Sequence, residues 1–401
     1  MSKLEKLLEG VEVEWMALGE VCDFRNGFAF KSKFFKEVGL PIIRITNIDG
    51  KEVNLSDVKY FDLKDYINSD LSNYKIIKGD ILIAMSGATT GKIGYHNSEK
   101  TAYLNQRVGK FEPNVEILNN RFLYHFLLSK VETIYVLAGG GAQPNLSSNK
   151  LKEKLQIPIP PLKIQKEIVR ILDSFTELTT ELTTELTARK KQYSYYREQL
   201  LTFEDGEAAW KTLGEVVLKT SNIKWGDTNK NYRYIDLASV CREKNIITET
   251  VEITKENAPS RAKKIILKDD VIFATTRPTQ LRLCLITDKY SNEIASTGYC
   301  VLRPNTEVVL PKWIYFWITS NKFKIYVEEN QSGSAYPAIS DTKVKEFSIP
   351  IPSLKEQERI VNILDKFDTL TTSISEGLPK EIELRKKQYE YYREKLLSFP
   401  K

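Results

Sequence analysis

The loop SGATTGKIG at 86–94 comes nearest to phosphate chemistry, and its spacing fails. A phosphate-cradling loop needs four residues between its glycines, and Gly87 and Gly91 enclose only Ala88, Thr89 and Thr90. Ile93 follows Lys92 where a hydroxyl would hold magnesium. Gly139–Gly141 follow a helical stretch rather than joining strand to helix, so a dinucleotide loop is excluded too. His96 and His125 are the only histidines, too few for a metal centre or a Ser-His relay, and each is expected to be a satisfied or surface histidine rather than a ligand. Cys22, Cys241, Cys284 and Cys300 are scattered with no C-x-x-C pair, which argues against a disulfide framework and for a reducing compartment. Neither an Asn/Asp-Pro-Pro-aromatic tetrad for base methylation nor a Pro-Asp dipeptide of a nuclease centre occurs. No catalytic or metal-ligating residue is expected.

Recognition chemistry remains. Beside strand-like runs, loops combine cations, amides and hydroxyls. The first half of the chain offers Lys31 and Lys33; Arg44, Thr46 and Asn47; Thr89, Thr90 and Lys92; Asn105, Gln106 and Arg107. The second offers Arg261, Lys263 and Lys264; Thr275, Thr276 and Arg277; Gln280 and Arg282; Ser334 and Tyr336. Arginine and lysine bond guanine edges, asparagine and glutamine suit adenine, and hydroxyls or further cations hold phosphates. Each residue alone is ordinary loop polarity; the clusters carry the reading.

The elements that must position these loops are duplicated. Residues 157–179, IPIPPLKIQKEIVRILDSFTELT, return at 349–371 as IPIPSLKEQERIVNILDKFDTLT, identical at 15 of 23 positions. RKKQYSYYREQLLTF at 189–203 returns as RKKQYEYYREKLLSF at 385–399. Trp15 and Leu18–Val21 match Trp210 and Leu213–Val216, and KGDILIA at 78–84 matches KDDVIFA at 268–274. The half-chain is duplicated, its lobes diverged and its helices held. The boundaries are a lobe at 1–156, a helical spacer at 157–203, a second lobe at 204–348 and a second spacer at 349–401.

From Ile164 the stripe Ile168, Ile171, Phe175, Leu178, Leu182 and Leu186 has helical spacing, and two such helices are expected to pack as an antiparallel coiled coil. The prolines at 158, 160 and 161 mark the junction from lobe to helix. TELTTELTTELT at 176–187 is a four-residue unit in three copies. Each unit rises ~6 Å and turns ~400°, so length can change while the buried face persists. The second helix carries SISEGLPKEIEL instead, and Gly377 with Pro379 predicts a kink or a break with restart. The cations and tyrosines Arg189, Lys190, Lys191, Tyr193, Tyr196 and Arg197, with Arg385, Lys386, Lys387, Tyr389, Tyr392 and Arg393, suit partner docking. Each lobe mixes short strands with one helix, over 121–137 and 312–329, which gives a mixed α+β fold of two globular domains in a pseudo-twofold repeat.

Composition agrees with that class. Charged residues make 28% and hydrophobic ones 41%, and a net charge of +6 permits a polyanionic partner. No apolar run approaches the ~20 residues of a membrane span, and no signal-peptide core opens the chain, so no membrane association and a cytoplasmic location are expected.

The order of variable lobe, IPIP-x-L-x-x-Q helix, second lobe and second such helix resembles the specificity subunit of type I restriction-modification systems. GFAFKSKFF (27–35), PIIRITNI (41–48) and KGDILIAMSGATTGKIG (78–94) are similar to that family's target-recognition domains. LEKLLEGVEVEW and the TELT units resemble its type IC branch. The second lobe has no sequence counterpart to GFAFKSKFF or SGATTGK. The resemblance implies that each lobe reads one half of a bipartite double-stranded DNA target and that the helices set the gap. It implies two methyltransferase subunits binding S-adenosylmethionine, restriction subunits using ATP and magnesium, and no cofactor in this chain. A self-sufficient DNA-modifying enzyme and a helical scaffold whose lobes bind proteins are the competing readings.

Overall fold

The two Trp-x-x-Leu-Gly-Glu-Val stretches fold into the same device. In the computed structural model, which describes residues 7–141, 144–204, 206–373 and 376–400, strand Glu14–Ala17 pairs with Gln156–Ile159, Trp15 opposite Pro158. Ala209–Thr212 pairs in the same way with Ser348–Ile351, Trp210 opposite Pro350. The first proline of each IPIP, Pro158 and Pro350, therefore lies in a strand, and Pro160 and Pro352 follow at the junction; a two-stranded pair has free edges that tolerate a missing N–H. Leu-Gly-Glu-Val then makes one helical turn, with the Glu20 carboxylate accepting the Ala17 N–H and Glu215 accepting that of Thr212, both at 2.7 Å. The Leu18 N–H bonds Leu155 and that of Leu213 bonds Phe347, so each lobe's two ends are tied together ahead of its helix.

Between those ends the lobes share one topology despite their divergence. In the first, a sheet runs in the order Cys22–Asn26, Val108–Pro113, Ile81–Ala84, Ile93–Tyr95. A second runs Lys59–Phe61, Leu40–Ile43, Ala102–Leu104, Lys75–Ile76, with a parallel central pair. The second lobe repeats both: Val217–Leu218, Tyr299–Pro304, Val271–Ala274, Leu283–Leu285, and Val251–Ile253, Tyr232–Ile235, Glu293–Ser296, Ala262–Ile266. Strand alternation explains the fully apolar ILIA and VIFA runs. Ile81 and Ile83 face the core built on the lobe helix, while Leu82 and Ala84 face the core of the second sheet. Val271 and Phe273 divide from Ile272 and Ala274 in the same manner.

Strands are shorter than the apolar runs that hold them: PIIRITNI (41–48) is a strand only to Ile43 and then a 3-10 turn at Ile45–Asn47, and LRLCLIT (281–287) is a strand only over Leu283–Leu285. Each lobe helix is also two helices. The first breaks at Lys130 between Asn120–Ser129 and Val131–Leu137. The second breaks between Pro311–Ile318 and Asn321–Asn330, where the Ser320 hydroxyl accepts the Phe323 N–H and starts a new helix.

The first repeat block forms one helix, Leu162–Leu200; the second forms Leu354–Thr372 and Gly377–Leu397, the break expected from Gly377 and Pro379. Leu4–Lys6 of the opening stretch and Ile374 and Ser375 of the linker lie outside the described residues. Contacts group Met1–Glu181 with Glu383–Lys401 and separate them from Leu182–Ile382. In the first unit Ile168, Leu172 and Phe175 share a core with Tyr389, Tyr392, Leu396 and Leu397, and Phe175 stacks on Tyr392 at 5.2 Å. In the second, Leu200, Leu201 and Phe203 share one with Ile360, Val361 and Leu364, and Tyr196 stacks on Phe367 at 5.9 Å. The early part of the first helix pairs with the late part of the second repeat, and the late part with the early, which is the pairing order of antiparallel helices. Among the described residues no helix is long and apolar enough to cross a membrane.

Both histidines are buried. His96 Nε2 lies 2.9 Å from the Lys100 carbonyl. His125 joins three elements of the first unit: Nε2 lies 2.9 Å from Asp173 and Nδ1 3.0 Å from the Tyr389 hydroxyl. Arg121 binds the same Asp173 oxygen and covers the Tyr95 and Tyr124 rings. Burial pushes the His125 pKa below its ordinary value, against the pull of Asp173 and with help from Arg121 and Arg393. The unfolded chain therefore takes up this proton near pH ~6.5, before the folded chain does. Its contribution to stability is complete above that pH and is lost as pH falls toward the lowered folded value. Phe316 holds the corresponding place in the second unit, six residues past Leu310 as His125 is six past Asn119. His125→Phe is expected to flatten the fall in urea midpoint between pH ~7 and ~5.5; identical slopes for the two proteins would contradict this.

Candidate nucleic-acid interface

Strand registers bring the first-lobe candidates together. Asn26 pairs with Gly109, Ala84 with Val108, Ile83 with Ile93, and Ile43 with Leu104. The segments 27–33, 44–47, 85–92 and 105–107 therefore leave or enter the two sheets at one end. Gly27 is required at this crossing, since a Cβ there would sit 2.0 Å from the Asn105 carbonyl oxygen. The second lobe does the same: Ala274 pairs with Tyr299, Phe273 with Leu283, Ile235 with Ala295 and Ala262 with Ser296. Segment 331–340 joins that end through the Thr276–Ala338 bridge.

Exposure then sorts the candidates. Lys31, Lys33, Thr46, Gln106 and Arg107 are exposed, and Arg44, Thr89, Lys92 and Asn105 half-buried. Asn47 and Thr90 differ from the expectation, because both are buried and satisfied within the loops. Asn47 accepts the Arg44 N–H and donates to the Asp57 carbonyl. The Thr90 hydroxyl donates to the Gly87 and Pro144 carbonyls. In the second lobe Arg261, Lys263, Arg277, Ser334 and Tyr336 are exposed, and Thr276 and Gln280 half-buried. Lys263 sits where the strand register shifts, an irregularity that redirects a side chain. Thr275, Lys264 and Arg282 serve the fold instead. Thr275 donates to Gly298, Lys264 reaches the Tyr299 carbonyl and Asp341, and Arg282 donates to the Leu237 carbonyl.

The loop SGATTGK does have a structural counterpart, which its sequence hides. The strands flanking it, Ile81–Ala84 and Ile93–Tyr95, correspond without insertion to Val271–Ala274 and Leu283–Leu285. Gly87 and Gly91, at φ +78° and +85°, correspond to Arg277 and Leu281, at +49° and +46°. A side chain in this left-handed conformation costs on the order of 1 kcal/mol. The Gly87 N–H bonds Pro144 at 3.2 Å and the Arg277 N–H bonds Pro337 at 2.7 Å. Sequence reasoning therefore missed segment 139–147 of the first lobe, although AQPNLS at 142–147 and AYPAIS at 335–340 share their alanine, proline and serine. Ala142 and Gln143 lie outside the described residues.

The docking candidates divide as well. Tyr389 is buried, and Tyr193 and Tyr392 are half-buried against Phe367 and Phe175, so these three hold the helices together. Arg197 and Arg393 cover the Tyr193 and Tyr389 rings, and Arg189 bonds Gln192 and Glu185. Tyr196 is 39% exposed, and Arg385 is half-buried with a bond to Gln388. Lys190, Lys191, Lys386 and Lys387 face solvent, the last paired with Glu383. The middle tyrosines, absent from the expected set, are the open ones: Tyr195 is 59% exposed and Tyr391 58%. Counting from the buried Phe-stacking tyrosines along the helix would have found them.

Burial pushes the Cys22, Cys284 and Cys300 thiols up to about 12, which leaves them poor nucleophiles. Among the described residues no group of three or more His, Cys, Asp or Glu is placed to hold a metal.

The family model for the type I restriction modification DNA specificity domain matches residues 10–190 and again 208–384. The chain is 35% identical over 426 aligned positions to the EcoR124I/EcoR124II specificity subunit of Escherichia coli, covering 100% of this chain and 98% of that one. It is 29% identical to the EcoprrI specificity subunit of the same species, over 94% and 92% of the two chains. The crystal structure of the type I restriction-modification S subunit of M. genitalium shares the fold over 100% of both chains, with TM-score 0.60 and 17% identity.

Proposed function

Because this chain belongs to the type I restriction modification DNA specificity family, we propose that it is the subunit that tells a methyltransferase and restriction complex where to act. Each lobe reads one half of a bipartite DNA target through the loops at its common end. The observation that carries this reading is the pairing of an unchanged strand order with diverged loops at one end of both lobes. Selection for two addresses on one frame produces that pattern. Lys31, Lys33, Thr46, Gln106 and Arg107, with Arg261, Lys263, Arg277, Ser334 and Tyr336, are the exposed residues for DNA. Two methyltransferase subunits dock on the repeated helical faces that carry Tyr195 and Tyr391, beside Lys190, Lys191, Lys386 and Lys387. Those subunits bind S-adenosylmethionine and flip the target adenine from the stack; restriction subunits bring ATP and magnesium. This chain works in the cytoplasm and leaves the chemistry to its partners.

Co-expression with its methyltransferase subunit in a methylation-free host, followed by genome-wide mapping of N6-methyladenine, tests this. A new two-part motif with a fixed gap, lost when this chain is omitted, is the expected outcome. An intact complex that leaves no new motif would favour a protein-binding scaffold.

A further inference from the structure

We propose that Arg277 reads a guanine in the half-site of the second lobe, an inference that rests on the DNA-reading role above. Its loop has the same length as that of the first lobe, yet Arg277 stands where the first lobe has Gly87, in the left-handed conformation that glycine adopts freely. A long side chain is thus held at a position the fold would fill more easily without one, and such strain gathers at functional sites. The guanidinium lies 5.4 Å from the ring centroid of Tyr336, a residue 72% exposed at the tip of the neighbouring segment. The Arg277 N–H to Pro337 bond and the Thr276–Ala338 bridge lock those two segments together, so the ring and the guanidinium share one rigid base. Of the other cations at this end, Lys264 and Arg282 are consumed by internal acceptors, while Arg261 and Lys263 stay exposed. Among the described residues the Arg277 guanidinium has no carboxylate partner.

A pre-oriented fork of donors at the open end of the lobe fits a pair of acceptors. In the major groove guanine presents one, O6 with N7, and no other base does. A phosphate also offers two oxygens, but it carries no sequence information. That difference separates the two contacts. The first lobe, with Gly87 at this place, has no counterpart fork, and the proposal therefore explains how equal frames read unequal sequences.

The test is the methylation motif written by the complete complex carrying Arg277→Gly, Arg277→Lys or Tyr336→Ala. Arg277→Gly takes the backbone that Gly87 already uses, so its melting temperature is expected to equal or exceed that of the parent. Its motif is expected to lose preference for guanine at one position of one half-site, roughly ten- to a hundredfold. The other half-site and the gap stay as they were. Arg277→Lys keeps the charge and loses the fork, and Tyr336→Ala removes the ring that orients it; both are expected to relax the same position less. An unchanged motif with uniformly weaker methylation would mean a phosphate contact and overturn the proposal, as would a parent motif with no specified G·C pair in either half. A parent complex that writes no bipartite motif would instead overturn the DNA-reading role itself, and this inference with it.

Discussion

Replacing Gln357 with leucine is expected to cost the second unit roughly 3–6 kcal/mol, because it removes the partner of three backbone groups that are at least half-buried. Gln357 is fully buried at the start of its helix. Its Oε1 accepts the Leu310 N–H, and its Nε2 donates to the Val308 and Pro352 carbonyls, all at 3.0 Å. Gln165 makes the same set in the first unit, with the Asn119 N–H at 2.7 Å and the Ile117 and Pro160 carbonyls at 2.8 Å. Each glutamine thus joins the IPIP strand, the long helix and the N-terminus of the lobe helix. Leucine fills the space but satisfies none of these groups, and an orphaned buried group costs about 1–3 kcal/mol. Against a typical domain stability of about 5–15 kcal/mol, that is a large share. Urea unfolding of the full chain checks this, with the exposed Glu358→Ala as control. A Gln357→Leu midpoint equal to that of the control would show that the site admits water or relaxes.

The glutamines also show how far the residues alone could lead. Repetition marked IPIP-x-L-x-x-Q as the hinge between lobe and helix, but the role of Gln357 depends on Leu310, forty-seven positions away. The same limit governs the loops. Asn47 and Thr90 have the composition of base readers, yet the loops need their polar atoms to satisfy their own backbone. Nothing local separates them from Gln106 or Arg107. The helix break at Ser320 fell inside the single helix expected over 312–329, although a serine can signal a helix start, and the break at Lys130 has no capping side chain to announce it. Gly377 and Pro379 announced theirs by backbone chemistry alone. Divergence hid the match of Gly87 with Arg277, because the shared property is a φ angle rather than a residue type.

Adding a fourth TELT unit is expected to lengthen the gap in the methylated motif by about one base pair and to leave both half-sites unchanged. Within Leu162–Leu200 these units are largely self-sufficient: the hydroxyls of Thr176, Thr179, Thr180 and Thr187 each donate to the carbonyl four residues back. Glu177, Glu181 and Glu185 are exposed, while Leu178, Leu182 and Leu186 stay half-buried. One unit adds ~6 Å and ~40° beyond a full turn, and one base pair adds ~3.4 Å and ~34°. The rotations nearly match, so a change on the order of one base pair keeps each lobe facing its groove. The effect is a switch rather than a gradation, because the parent sites would go unmethylated while a new set of sites is modified. Inserting two residues instead turns the following helix by ~200° and carries its leucines to the wrong face. That variant is expected to lose methylation altogether, which distinguishes a ruler from a tolerant tether. A four-residue insertion that altered the bases read, or that left the gap as it was, would end the ruler model.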